Sequence, residues 1–199
     1  GASVQNNVAV LGHSRGGEAV FKIARLNESL GLGIGLKGLL ALGPTDQYGR
    51  ESITGTTAKP LFVLYGAKDD DVSGWPPYAG YNVRQSGFTL YDRFDGQEKS
   101  MAFVYDATHN GFVTHNEAFG TPPVPPLMTV ADQQKILLAY CNAFCRLHVH
   151  GEAQWRGMFN GEWRPPTVSA TGTVMTIQYR HPARRTLDQF EGPHAAGDW

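Results

Sequence analysis

The sequence has no marked excess of either charge and no long hydrophobic run. Its 199 residues include 17 lysines and arginines against 18 aspartates and glutamates, for a formal net charge of -1. Without a basic surplus we expect no nucleic-acid partner. No apolar stretch approaches the roughly 18 residues that a membrane-spanning helix needs, so we expect no membrane span. The 41% hydrophobic content instead fits a globular protein of one domain or slightly more, and it leaves the compartment open.

Cysteine is also scarce. Cys141 and Cys145 are the two cysteines, and they lie in a segment, LLAYCNAFCRL, with helical periodicity. Residues at this spacing share a helix face but are poorly placed for a relaxed disulfide. We therefore predict two free thiols in the core. His148 and His150 alone make a weak case for a zinc site beside them, and no metal is expected.

Short apolar runs predict four strands, at residues 8–11, 38–42, 61–65 and 101–105. Their continuous apolar character is typical of strands buried on both faces. Helical periodicity follows the first run, with Ala19, Val20, Ile23 and Ala24 on its apolar face, and a second helix is predicted over about residues 130–147. The pattern predicts an α/β fold, with a mostly parallel sheet and helices on both faces.

The character of the chain changes near residue 164. TVSATGTVMTIQYRH alternates like an exposed strand, and LDQFEGPHAAGDW ends without a closing element. We predict one unit over residues 1–164, followed over 165–199 by a linker and the start of a β-rich segment. The first strand begins at residue 8 with nothing to flank it. We therefore expect the protein to continue both upstream and downstream.

The stretch GHSRG places Ser14 between Gly12 and Gly16, after a predicted strand and before a predicted helix. A tight strand-turn-helix connection strains the serine backbone and leaves little room on either side, which glycine tolerates. The helix N-terminus favours a developing oxyanion, and the backbone N–H of Arg15 is placed to donate to it. The pattern indicates that Ser14 is a nucleophile; a purely structural turn is the alternative.

A serine nucleophile needs a base, and the base needs a group that orients its ring. The end of the third predicted strand offers Asp69, Asp70 and Asp71. We favour Asp69, three residues after the turn at Gly66, with Asp71 as the alternative; a solvated acidic loop is the bland interpretation. His109 follows the fourth strand and is the predicted base, against an ordinary surface histidine. The order Ser, Asp, His matches that of α/β-hydrolases.

Two further features bear on a pocket. His13 adjoins the nucleophile, and we predict that it shapes the pocket. Four aromatic residues crowd the segment between the acid and the base: Trp75, Tyr78, Tyr81 and Phe88. They form either a wall for an apolar acyl group or a loop pinned by its own aromatics.

Together these segments resemble the α/β-hydrolase superfamily, and in particular its bacterial esterase, dienelactone-hydrolase and polyester-hydrolase-like branch. The matching pieces are VAVLGHSRGGEAV, PLFVLYGAKDDDV and FVYDATHNGF; with LLALGPTD and the last helix they cover about residues 1–150. The resemblance implies an eight-stranded sheet of which this chain holds the last four strands, so residues 1–164 are the C-terminal part of a catalytic domain. It also implies Ser14 as nucleophile, His109 as general base and acid, and Asp69 as its orienting acid.

The resemblance further implies a hydrolase of small-molecule or polymeric carboxylic esters that forms an acyl-enzyme and needs no cofactor. A serine peptidase and a non-catalytic binding module that keeps the turn are the alternatives. The family takes a second oxyanion donor from a loop after its third strand, which has no counterpart in this chain. Because one such donor contributes on the order of 3 kcal/mol, we expect little or no turnover from these residues alone. Activity is expected when an upstream half is restored.

Overall fold

The computed structural model describes residues 6–45, 59–69, 71–72, 86–96, 98–113 and 125–182, without the side chains of residues 86–89. These residues build a five-stranded sheet in which the strands follow one another in chain order. The strands are β1 (Val8–His13), β2 (Leu36–Leu42), β3 (Leu61–Gly66), β4 (Lys99–Val104) and β5 (Met175–Arg180). β1 to β4 run parallel, and β5 is antiparallel to β4.

Helices cover both faces of the sheet. They are α1 (Arg15–Ser29), α2 (Ser86–Arg93), α3 (Val130–Phe144), α4 (Arg156–Phe159) and α5 (Pro166–Ser169). Successive strand residues point to opposite faces, so the core divides into two clusters. Leu39 and Ala41 pack with Phe21 of α1, whereas Leu40 and Leu42 pack with Tyr140 of α3. The α/β class and the mostly parallel sheet predicted from the sequence are confirmed.

The prediction that the first strand is buried on both faces is wrong. β1 lies at the edge of the sheet, where β2 is its only partner among the described strands. Its residues are at most half-buried, and Leu11 is 51% exposed. A run of apolar residues does not distinguish an edge strand from a central one, because both show the same continuous pattern.

The predicted apolar face of α1 is also partly wrong. Ile23 is 39% exposed, whereas Phe21 is fully buried. The stripe that meets the sheet runs through Gly17, Val20, Phe21 and Ala24, at the spacing of one helix face. The helix contacts β1 and β2 through this stripe, and Ile23 lies to one side of it.

The last strand belongs to the same sheet as the others. β5 pairs with β4 along its whole length, from Lys99 opposite Arg180 to Val104 opposite Met175. Its side chains alternate in exposure, as the sequence predicts. Met175 and Val168 join the core cluster that contains α3. The domain boundary near residue 164 stays a prediction.

Both cysteines are free thiols near the end of α3. Burial, with a smaller contribution from Cys145, raises the pKa of Cys141 to about 12. The described residues contain no cluster of three or more His, Cys, Asp or Glu side chains that could bind a metal. Nor does any helix among them combine the length and the apolar character that crossing a membrane requires.

Candidate active site

The predicted site residues lie where the parallel strands end. Ser14 comes directly after β1, Asp69 follows β3, and His109 follows β4. The carboxyl ends of neighbouring parallel strands meet along one edge of the sheet, which is where α/β folds commonly bind ligands. Residues that are far apart in the sequence therefore come together at this edge.

Ser14 occupies a strained turn between β1 and α1. Its φ is 58° and its ψ is -121°, a region that costs a non-glycine residue about 1–3 kcal/mol. The Ser14 N–H donates to the carbonyl of Leu42 at 2.9 Å, which ties the turn to the end of β2. The surrounding structure thus compensates the strain with specific contacts.

The two glycines of the GHSRG pattern differ in what they do. A Cβ on Gly12 would overlap the carbonyl oxygen of Gly16, so this position accepts only glycine. A Cβ on Gly16 would meet no described atom within 4 Å. The crowded glycine of the helix is instead Gly17, whose Cβ would lie 2.8 Å from the Cβ of Pro44. Among the described residues, space therefore limits Gly17 rather than Gly16, contrary to the expectation from the sequence.

Asp69 and His109 form a buried pair. The Oδ2 atom of Asp69 lies 2.8 Å from Nδ1 of His109, and each side chain is 1% exposed. The other carboxylate oxygen, Oδ1, accepts the N–H groups of Asp71 at 2.9 Å and Val72 at 2.8 Å. Both oxygens of Asp69 are engaged, and the carboxylate is fixed against the imidazole.

Asp71 takes a different position. Its Oδ2 lies 3.6 Å from Nε2 of His109, and its side chain is 39% exposed. Asp69 contacts the nitrogen that an orienting acid must contact, whereas Asp71 lies near the nitrogen that must accept the serine proton. Asp70 lies outside the described residues.

Gly43 gives the Asp69–His109 pair its space. Its φ is 42°. A Cβ there would lie 3.0 Å from Nδ1 of His109 and 3.2 Å from Oδ2 of Asp69. The segment LLALGPTD indicates only a strand and its end, so the sequence carried no sign that this glycine contacts the pair.

His13 contacts the base loop directly. Its Nε2 lies 3.0 Å from the carbonyl oxygen of His109, and because that oxygen can only accept, the ring nitrogen donates. The two imidazole centroids are 4.4 Å apart, with the planes inclined at 39°. Burial, and secondarily the proximity of His109, lower the pKa of His13 below its usual value.

The backbone of Ser14 is also bonded to the segment that follows β2. The N–H of Thr45 donates to the carbonyl of Ser14 at 3.2 Å, and the Thr45 hydroxyl donates to the buried carboxylate of Glu18 at 2.7 Å. No hydrogen bond joins the Ser14 hydroxyl to the His109 ring in the part of the chain that the structure describes. Such bonds often shorten only when a substrate is bound.

The predicted oxyanion donor lies at the start of a helix. Arg15 is the first residue of α1, so its backbone N–H has no acceptor within the helix.

The predicted aromatic wall lies outside the described side chains. Its residues are Trp75, Tyr78, Tyr81 and Phe88.

Three further histidines, His148, His150 and His181, lie among the described residues and do not join the site. His148 packs on the rings of Phe144 and Phe159, and burial lowers its pKa to about 4. His150 is exposed after α3, and His181 lies 4.0 Å from Glu98. His115 and His194 lie outside the described residues.

No protein-family model matches the chain, and no curated protein matches it. The resemblance to α/β-hydrolases therefore stays a prediction, carried by the motifs and by the geometry at the sheet edge.

Proposed function

We propose that this chain carries the catalytic triad of a serine hydrolase that cleaves carboxylic esters through an acyl-enzyme. Ser14 is the nucleophile, His109 the general base and acid, and Asp69 the orienting acid. The observation that supports this most strongly is the fully buried Asp69–His109 pair at the edge of the sheet where the strained Ser14 turn lies. A non-catalytic module does not require a desolvated imidazole–carboxylate pair at the sheet edge that carries a strained serine.

The contact with Asp69 sets the tautomer of His109. A carboxylate accepts, so Nδ1 carries the proton and Nε2 keeps its lone pair. Nε2 takes the hydroxyl proton of Ser14 as Oγ bonds to the carbonyl carbon of the ester. The carbonyl π electrons move to its oxygen, which accepts a hydrogen bond from the N–H of Arg15.

The intermediate then collapses and expels the alcohol. The C–O bond to the leaving group breaks, and the imidazolium of His109 returns its proton to the departing oxygen. Water attacks the acyl-enzyme by the same route, transfers a proton to Nε2 and releases the carboxylic acid and free Ser14. Throughout, Asp69 offsets the positive charge of the imidazolium.

A fluorophosphonate probe tests the nucleophile. The protein as its gene encodes it is labelled alongside Ser14→Ala, His109→Ala and the control Ser29→Ala, which changes an exposed serine at the far end of α1. We expect labelling at Ser14 in the wild type and in the control, and none in the other two. An unlabelled Ser14 in the folded wild-type protein overturns the proposal.

A substrate screen separates the ester hydrolase from the peptidase. Short and long p-nitrophenyl esters are compared with aminoacyl p-nitroanilides. We expect turnover of the esters, removed by Ser14→Ala. Turnover of the anilides alone assigns the same triad to a peptidase and contradicts the ester proposal.

A further inference from the structure

The loop that carries His109 is held at two adjacent points of its backbone. On one side, the N–H of Thr108 donates to Oε1 of Gln133 at 3.1 Å. On the other, the carbonyl of His109 accepts from Nε2 of His13 at 3.0 Å. We call residues 108–111 the base loop.

Gln133 is fully buried on the first turn of α3, and both ends of its amide are used. Oε1 accepts from Thr108, and Nε2 donates to the carbonyl of Met128 at 3.1 Å. A buried amide destabilises a protein unless it is hydrogen-bonded, whereas an apolar side chain would fill the same space without needing partners. At this position the amide adds one bond to the base loop and one to the Met128 carbonyl, just before α3.

The base loop also packs closely on this amide. A Cβ on Gly111 would overlap the Gln133 carboxamide, so the backbone of the loop lies directly against it. Within the loop, the N–H of Gly111 donates to the Thr108 hydroxyl at 3.2 Å. The loop is therefore fixed both to itself and to α3, with little freedom to shift.

His13 holds the loop from the opposite direction. It is the residue before Ser14, so its bond to the His109 carbonyl joins the nucleophile segment to the base segment directly. The two strands that end at these segments, β1 and β4, are separated in the sheet by β2 and β3. The histidine side chain bridges this gap.

We propose that Gln133 and His13 are positioning residues that fix the backbone of the base loop and thereby hold His109 in place relative to Ser14. The inference rests on the proposed hydrolase function. Neither residue touches the reacting atoms in this role; each acts through the backbone of residues 108 and 109. A displacement of about 1 Å at a catalytic group lowers the rate on the order of a hundredfold.

The test compares variants that remove each bond while keeping bulk. Gln133→Met removes the bonds to Thr108 and Met128, and His13→Leu removes the bond to the His109 carbonyl. His13→Gln keeps an N–H donor. Asn27→Ala is the matched control: its amide makes the same kind of paired bonds, at 2.8 Å, to the N–H and carbonyl of Ile34, next to β2 at the opposite end of the sheet. Each variant is measured for kcat, KM and thermal unfolding.

We expect Gln133→Met and His13→Leu each to lower kcat between about tenfold and a hundredfold, with KM little changed. The double variant should lose less than the product of the two factors, because both bonds hold one loop. His13→Gln should recover most of the rate. Asn27→Ala should lower the unfolding temperature and leave kcat unchanged. Equal kcat in Gln133→Met and Asn27→Ala overturns the proposal.

A second readout does not depend on turnover. The proton on Nδ1 of His109, which donates to the buried Asp69 carboxylate, is followed as a downfield signal in the proton NMR spectrum. We expect its signal to shift or broaden in Gln133→Met and to be unchanged in Asn27→Ala. An unaltered signal in folded Gln133→Met overturns the positioning role. An unlabelled Ser14 in the wild type overturns the hydrolase function separately.

If Gln133→Met does not fold, Gln133→Asn takes its place. It keeps the amide but withdraws it by one methylene from Thr108. The same kcat and NMR criteria then apply to it and to His13→Leu.

Discussion

The Nδ1 atom of His109 lies 2.8 Å from Oδ2 of Asp69, and each side chain is 1% exposed. Water is therefore excluded from this contact, and the imidazole keeps a fixed ring orientation. In the proposed mechanism, a positive charge formed on the ring finds its counter-charge already in place, as general-base catalysis by a buried histidine requires.

The two acids near His109 are predicted to contribute unequally. Asp69→Asn should lower kcat by a factor on the order of 10⁴, because an asparagine does not hold the required tautomer. Asp71→Asn should have a far smaller effect, since Asp71 is half-exposed and lies 3.6 Å from Nε2. Steady-state kinetics with a p-nitrophenyl ester measure both. A larger loss in Asp71→Asn would assign the orienting role to Asp71.

Gly43→Ala is predicted to lower both the stability of the protein and its activity. The new methyl group would press on Nδ1 of His109 and on the Asp69 carboxylate, and the φ of 42° is unfavourable for alanine. We expect a loss of about 1–3 kcal/mol in unfolding free energy together with a fall in kcat. Denaturant unfolding and kinetics check the two effects. Gly31→Ala is the control: it shares a positive φ but has no described atom within 4 Å, so it should lose stability without losing kcat.

The two glycines that flank Ser14 are predicted to respond in opposite ways. Gly12→Ala should prevent stable folding, because its methyl group would overlap the Gly16 carbonyl. Gly16→Ala should raise the unfolding free energy by up to about 1 kcal/mol, since alanine favours a helix over glycine and no described atom lies within 4 Å of the new methyl group. Chemical unfolding of the two variants tests this. Equal destabilisation of both would show that the space beside Gly16 is closed.

His148 makes stability depend on pH. Burial lowers its pKa from 6.5 to about 4, so between these values the unfolded chain binds a proton that the folded chain does not. Stability from this group is present above pH 6.5 and is lost as the pH falls towards 4. His148→Phe keeps an aromatic ring against Phe144 and Phe159 and should flatten the pH dependence in that window. Unfolding at several pH values measures it.

The control for this prediction is His150→Phe, which changes an exposed histidine two residues away. It should leave the slope of stability against pH as it is in the wild type. Identical slopes in wild type and His148→Phe would contradict the assignment to His148.

Much of the sheet was predictable because its strands are continuous apolar runs. The four predicted strands, both long helices and the α/β class all appear in the structure. The strand ends also placed His109 and Asp69 together, because parallel strands bring their carboxyl ends to one edge. Pattern alone failed where burial depends on neighbours: Leu11 lies on an edge strand and Ile23 lies off the packed stripe.

The supports of the site were not predictable from local patterns. Gly43 contacts a histidine 66 positions further along the chain, and Gln133 contacts a backbone amide 25 positions before it. A buried glutamine on an amphipathic helix has the same sequence appearance as a surface one. Such partners are set by how strands and helices pack, which hydrophobic periodicity does not encode.

The bond from Thr108 to Gln133 joins the base loop to α3. Opening the loop breaks this bond and withdraws the Thr108 N–H from a fully buried amide oxygen, so we infer that this loop unfolds with the helix rather than by local fraying. A change anywhere in α3 that raises the population of the unfolded helix also raises the fraction of molecules whose histidine is detached from Asp69. In the proposed hydrolase, activity would then report the stability of α3.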